Sequence, residues 1–358
     1  MPLPSSGTIT LDQMHVEAGG TTGSTCTVND SDIRDLISKS SGATMSFNEW
    51  YGASAVTPSV YSIFALGRSA SSYRTDIERI VTASTGDATN FGVLATARGY
   101  FVGGCSDTTR NLIAGGIPSS GVSEAIEYVT AASTGNAISF GLLGSGGKQG
   151  MSGQVNNTTR GLFYLGRFSN NSVQNDIRFV TIQSTGNDST FGDLTTARYW
   201  GGSASNSTRG IFFAGNASNV IDYVTISSTG NAVDFGDASD TGNAGASGVA
   251  SSTRAVFNEG NQTNARFVYV TIASTGNATD FGVPAFASGE NKIPYASGAA
   301  NATRGVFFGG DNATPSDQIQ YITIANTGNG TLFGDLALDG ENVGGIASSG
   351  GCSAATGQ

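Results

Sequence analysis

Histidine is almost missing from this 358-residue chain: His15 is the single copy. It lies ahead of the internal repeats that begin near residue 58, so no Ser-His-Asp set can form within them. A lone histidine on a short helix is ordinarily packing or surface. Charge is scarce as well, at 12% of residues, and it leans acidic, with 17 Lys+Arg against 27 Asp+Glu and a formal charge of -10. Such a surface repels phosphates, which argues against nucleic acid as a partner. The three cysteines, Cys26, Cys105 and Cys352, are odd in number and unpatterned. They make neither a disulfide framework nor a metal-ligand spacing, so no metal or cofactor is expected. No apolar run approaches the roughly 20 residues needed to span a bilayer, and membrane insertion is not expected. The opening Met1-Pro2-Leu3-Pro4-Ser5-Ser6 has no basic n-region and no apolar h-region. The expectation is therefore synthesis and folding in a cytoplasm.

What the chain has in abundance is repetition. Ser274-Thr275-Gly276-Asn277-Ala278-Thr279-Asp280-Phe281-Gly282 is one of six related copies, the others starting at Ser84, Ser133, Ser184, Ser228 and Asn326. Their first glycines, Gly86, Gly135, Gly186, Gly230, Gly276 and Gly328, are spaced by 49, 51, 44, 46 and 52 residues. A period that long means one supersecondary unit per repeat. Residues 207–215 read as a strand ending at glycine, and 220–226, rich in β-branched and aromatic residues, as a second. Ser-Thr-Gly-Asn then makes a turn whose glycine and asparagine tolerate positive φ. Residues 232–236 supply a third strand. A variable segment such as 197–203 is the fourth and leads into the next repeat. Four short strands in about 50 residues make one propeller blade. The first blade begins at Val60 without a fourth segment, whereas 336–351 are left over at the far end. The C-terminal segment is thus expected to close six blades against blade one, leaving no exposed sheet edge.

The predicted fold is all-β, a six-bladed propeller over 58–358, preceded by a small, mainly helical module over 1–53. In that module Thr10 and Gln13 make a capping-box signature. Residues 29–37 read as a second helix with acidic residues in its first turn, and 46–52 as a third turn ended by glycine. Its large apolar side chains are few: Ile9, Leu11, Met14, Val16, Ile33, Leu36, Phe47, Trp50 and Tyr51. A core so thin is expected to complete its burial by docking on another protein. Arg110, Arg160, Arg209, Arg254 and Arg304 each open the strand after a Thr, with Tyr61 at that position in blade one. They could grip an anionic ligand as a group or tie blade to blade. Recurrence in nearly every unit favours the tie.

Two resemblances add to this reading. Ser5-Ser6-Gly7-Thr8-Ile9-Thr10-Leu11, with Ser46-Phe47-Asn48-Glu49-Trp50-Tyr51-Gly52, resembles a short N-terminal module of tailed-bacteriophage virion proteins. It implies a virion location and attachment to other virion proteins. Phe308-Gly309-Gly310, Tyr321, Thr327-Gly328-Asn329 and Phe333 follow an order similar to the kelch repeat. Phenylalanine replaces the usual kelch tryptophan, and the later arginine survives only at Arg98 and Arg198, so the likeness implies blades but no kelch partner. The function expected is a tail or fibre component that contacts the host surface, glycan or protein. The alternative is a capsid or tail decoration protein that braces neighbouring subunits. An enzyme is not expected, although paired carboxylates for polysaccharide cleavage stay open at this point. Host contact is assigned to what breaks the repeat: Arg167, Asn170, Asn171 and Asn312 after the first strand, with Tyr199 and Trp200 in the fourth segment. For Tyr199 and Trp200, packing between blades is the competing role.

Overall fold

The computed structural model describes residues 3, 8–18, 21–23, 25–30, 33–34, 37, 44–50, 61–67, 72–118, 123–144, 148–168, 172–216, 218–241, 243–260, 266–285, 294–310, 317–337 and 350–353. The chain divides into two compact units, Met1–Thr57 and Pro58–Gln358. In the first, Thr10 caps the helix Leu11–Glu17: its hydroxyl accepts from the Gln13 N–H, while the Gln13 side chain accepts from the Thr10 N–H. The second expected helix is represented by Ile33 and Arg34 alone among the described residues. The third is a 3-10 turn, Phe47–Trp50. No helix among the described residues is long and apolar enough to cross a membrane.

The second unit is all-β, with four-stranded antiparallel sheets that follow the repeat. Repeat four shows the pattern: a lead strand Gly202–Ser205, an arginine strand Arg209–Gly215, an aromatic strand Ser218–Thr225 and a phenylalanine strand Val233–Asp237, paired in that order. The arginine strand is buried along almost its whole length, which is why it reads as a continuous apolar run. The phenylalanine strand buries only Phe235. Repeats three, five and six form equivalent sheets. Repeats one and two share an 18-residue strand, Thr89–Ser106, which pairs first with Arg74–Val81 and then with Arg110–Ile117. The lead strand of repeat one is C-terminal: Gly350–Ser353 pairs antiparallel with Tyr61–Ala65.

Apolar clusters form between successive sheets. Phe91 packs with Ile113, Phe140 with Phe163, Phe191 with Phe212, Phe235 with Phe257, and Phe281 with Phe307. The sixth such cluster joins Phe333 of repeat six to Phe64 of repeat one.

The repeated turn explains itself through its neighbour. Gly276 N–H donates to the Phe235 carbonyl (2.8 Å) and Ala278 N–H to that of Asp237 (2.9 Å). The Asn277 Oδ1 accepts from the Asp237 N–H (3.0 Å) in return. Each turn is thereby stapled onto the phenylalanine strand of the preceding repeat. The same three bonds recur at Gly135, Gly186, Gly230 and Gly328. They recur once more between the ends of the unit, where Gly86 donates to Phe333 (2.9 Å), Ala88 to Asp335 (2.8 Å), and Asp87 Oδ1 accepts from Asp335 (3.1 Å). Asp87 stands where the other copies have asparagine because the position needs only an acceptor. The glycine after each phenylalanine makes room for this staple. A Cβ on Gly282 would lie 2.1 Å from the Gly328 carbonyl oxygen.

Candidate functional site

The recurrent arginines serve as ties. Each lies over the aromatic ring of its own repeat: Arg110 over Tyr128, Arg160 over Phe179, Arg209 over Tyr223, Arg254 over Tyr269 and Arg304 over Tyr321, at 4.3 to 4.9 Å. Each also donates across a junction, as Arg209 does to the Ile272 carbonyl (2.9 Å) and Arg304 to that of Thr82 (3.3 Å). The ring beneath stands edge-on to the buried phenylalanine, as in Tyr223–Phe235 at 5.9 Å and 80°. In repeat one the partners change places. Tyr61 occupies the arginine position and Arg79 the aromatic one, and Arg79 lies 4.3 Å over the Tyr61 ring. The exchange was readable in the sequence once the aromatic strand was aligned.

The two buried arginines, Arg98 and Arg198, are also spoken for. Arg198 pairs with Asp222 (2.7 Å) and Arg98 with Glu127, all of them buried. Burial lowers the Arg98 pKa, offset by the Glu127 charge. In four repeats the residue at the register position of Glu127 and Asp222 accepts from an N–H of the preceding repeat: Ala95 to Glu127 (2.9 Å), Thr195 to Asp222 (3.3 Å), Ala285 to Gln320 (2.8 Å) and Ala337 to Glu78 (3.0 Å). Repeat five has Val268 at this register position. There the Ser239 hydroxyl donates instead to Glu259 (2.7 Å), which Arg266 bridges at 3.1 Å. Arg266 also reaches Asp280 (3.0 Å) and Asp240 (3.7 Å). Burial raises the Glu259 pKa, against the opposing pull of Ser239 and Arg266. With a guanidinium in their midst, these carboxylates are arranged as a junction network. Among the described residues no group of three His, Cys, Asp or Glu is placed to hold a metal ion.

A cavity of about 50 Å³ lies among the lead strands, with Ser106, Gln154, Asn156, Ser203 and Ser205 in its lining. Its serines stitch strands together. Ser203 Oγ accepts from the Gln154 N–H and donates to the Gln154 carbonyl (2.7 and 2.8 Å). Ser205 does the same with Asn156 (3.1 and 3.0 Å). A polar space of this size suits a few ordered waters.

Of the residues assigned to docking, Met14, Ile33 and Trp50 are buried in the core of the N-terminal unit, with Ile9 and Leu11 half-buried against it. Val16 is 43% exposed. A side chain buried in its own unit presents no surface to a partner, whereas among the described side chains of this set Val16, Ile9 and Leu11 keep some exposure. Phe47 begins the 3-10 turn, whereas Leu36 and Tyr51 lie outside the described residues. Of the residues assigned to host contact, Arg167 is in the strand Arg160–Phe168, and Asn170, Asn171 and Asn312 lie outside the described residues. Tyr199 and Trp200 are half-buried, with ring centroids 4.7 Å apart. Trp200 packs against Tyr295 at 5.8 Å, a residue the sequence reading did not single out.

No protein-family model matches the chain, and no curated protein matches it.

Proposed function

We propose that the chain is a structural protein of a tailed-phage-type virion, docked by its N-terminal unit and displaying a six-bladed, kelch-like β-propeller toward the host surface. The observation that supports this most is the staple between Gly86–Ala88 and Phe333–Asp335. It repeats at the two ends of the unit the bonding found between neighbours, as a closed set of six blades requires. A closed set leaves only short edges, one at the outside of each sheet, and little for edge-to-edge aggregation, which suits a protein carried on a particle. The residues common to the repeats are consumed by junctions: arginines on rings and carbonyls, asparagines on N–H groups, phenylalanines in the clusters. Recognition is left to one end of the sheets, where the arginine-to-aromatic loops and the links into each lead strand vary.

The test is removal of residues 1–53. The truncated chain should fold and stay soluble yet fail to join particles. Normal incorporation would overturn docking through the N-terminal unit. Alanine at Arg167, Asn170, Asn171 and Asn312 should reduce adsorption with the fold intact. Unchanged adsorption would favour a decoration protein that braces neighbouring subunits.

A further inference from the structure

Among the described residues, Trp200, Ala214 and Tyr295 are the non-glycines with positive φ, at 63°, 47° and 62°. L side chains avoid this region, and a bulky aromatic held there is an outlier that the surrounding fold must enforce. Trp200 and Tyr295 occupy the same place in their repeats, two residues before the lead strands Gly202–Ser205 and Ser297–Ala300. Gly245 holds that place before Ser247–Ala250, with φ 76°. Backbone bonds link the three: the Gly245 N–H donates to the Trp200 carbonyl and the Tyr295 N–H to that of Gly245, both at 2.8 Å. The backbone path is therefore common to the three links and glycine satisfies it. A tryptophan and a tyrosine kept where glycine would relieve the strain call for a use of the rings themselves.

The rings form a corner. Trp200 and Tyr295 stand perpendicular, at 87°, and Tyr199 adds a third ring at 71° to Trp200. A Cβ on Gly245 would come within 2.8 Å of the Tyr295 ring, so this glycine also makes room for one wall. All three aromatics are half-buried. The Tyr199 hydroxyl accepts from Asn216 Nδ2 (2.7 Å), placing an amide and a hydroxyl beside them. The adjacent cation, Arg198, is neutralised by Asp222.

We propose that this corner binds one pyranose of a neutral glycan, its C–H face on Trp200 or Tyr295 and its hydroxyls toward Asn216 and Tyr199. Aromatic walls cover the apolar face of a sugar, amide and hydroxyl groups both donate and accept, and the one arginine adjoining the rings among the described residues, Arg198, is already paired. The site rests on the reading of this end as the host-facing one and names what it takes.

The chain has two tryptophans, and Trp50 is buried in the N-terminal unit, so a change of emission reports on Trp200. Full-length protein is titrated with glucose, galactose, mannose and N-acetylglucosamine, each free and as a short oligosaccharide. At least one probe should give a saturable change, and the binding of that probe, followed by calorimetry in the variants that lack the reporter, should disappear in Trp200→Phe. Tyr295→Ser should weaken the apparent affinity about tenfold. Trp200→Gly, which fits the backbone, should keep the thermal midpoint and lose the sugar. No saturable response to any probe would overturn the assignment. So would a lowered midpoint in Trp200→Gly with sugar binding retained. Particle adsorption separates the two readings. Adsorption lost in Tyr295→Ser without any sugar response leaves host contact standing and removes the glycan. A sugar response with normal adsorption keeps the site and removes its role in attachment.

Discussion

Replacing Gly282 by alanine should cost more than replacing Gly276, although only Gly276 has a positive φ, at 158°. A Cβ on Gly276 meets nothing within 4 Å, so the change there is backbone strain alone, about 1 kcal/mol. On Gly282 the Cβ would sit 2.1 Å from the Gly328 oxygen and 2.4 Å from its carbon, and backbone cannot rotate aside as a side chain can. Relief requires the turn to lift. That breaks the bonds from Gly328 to Phe281, Gly330 to Val283 and Val283 to Asn329. At about 1 kcal/mol net per bond the loss is about 2–4 kcal/mol. Asn329→Asp should be nearly neutral, within about 0.5 kcal/mol, because Asp87 already fills this role in repeat one. Guanidinium unfolding of the full chain, followed by circular dichroism, gives the three values from midpoint and slope. A Gly276→Ala variant as destabilised as Gly282→Ala would refute the staple as the reason for the second glycine.

Phe281→Ala should cost about 3–5 kcal/mol in the same assay, through a cavity between repeats five and six. Tyr61→Ala and Arg79→Ala should couple by about 0.5–2 kcal/mol in a double-mutant cycle; strict additivity would deny that the exchanged pair replaces the usual one. Asp222→Val alone should cost about 3–5 kcal/mol by stranding Arg198. Adding Arg198→Asn, which copies the Asn243 and Val268 of repeat five, should recover most of the loss. Burial raises the Glu259 pKa above its unfolded value, so the folded state holds this proton more tightly. The penalty is present at neutral pH and relieved as pH falls through the folded pKa. Glu259→Gln should therefore gain on wild type at about pH 7 and lose that gain at about pH 4; an equal effect at both would remove burial as the cause.

The repeat and its four strands were legible because alternation, β-branched runs and glycine punctuation are local signals. So was the helix cap, since Thr10 and Gln13 are three residues apart. The staple was not. Ser-Thr-Gly-Asn reads as a hairpin turn from its own residues, and its second task is visible only against a strand some 40 residues away. The network of Glu259 and Arg266, which stands in for an acceptor that Val268 lacks, was hidden although its two members are only 7 residues apart, because Ser239, 20 residues before Glu259, joins them only in the folded sheets. At the aromatic corner, Tyr199 and Trp200 stood out as departures from the repeat, but Tyr295 did not. It joins them through equivalence of register two residues before a lead strand, a position that short glycine-rich strands leave ambiguous in sequence. In sequence, a large apolar side chain reads the same whether it docks on a partner or packs at home, and Met14, Ile33 and Trp50 lie in the core of their own unit.

The most direct measurement is an electron-cryomicroscopy map of particles carrying the full chain. The expected density is a closed disc of six lobes on the outer surface, reached through the N-terminal unit, with the Trp200 end turned outward. An open arc of lobes, or a disc attached by its lobes with the N-terminal unit free, would contradict it.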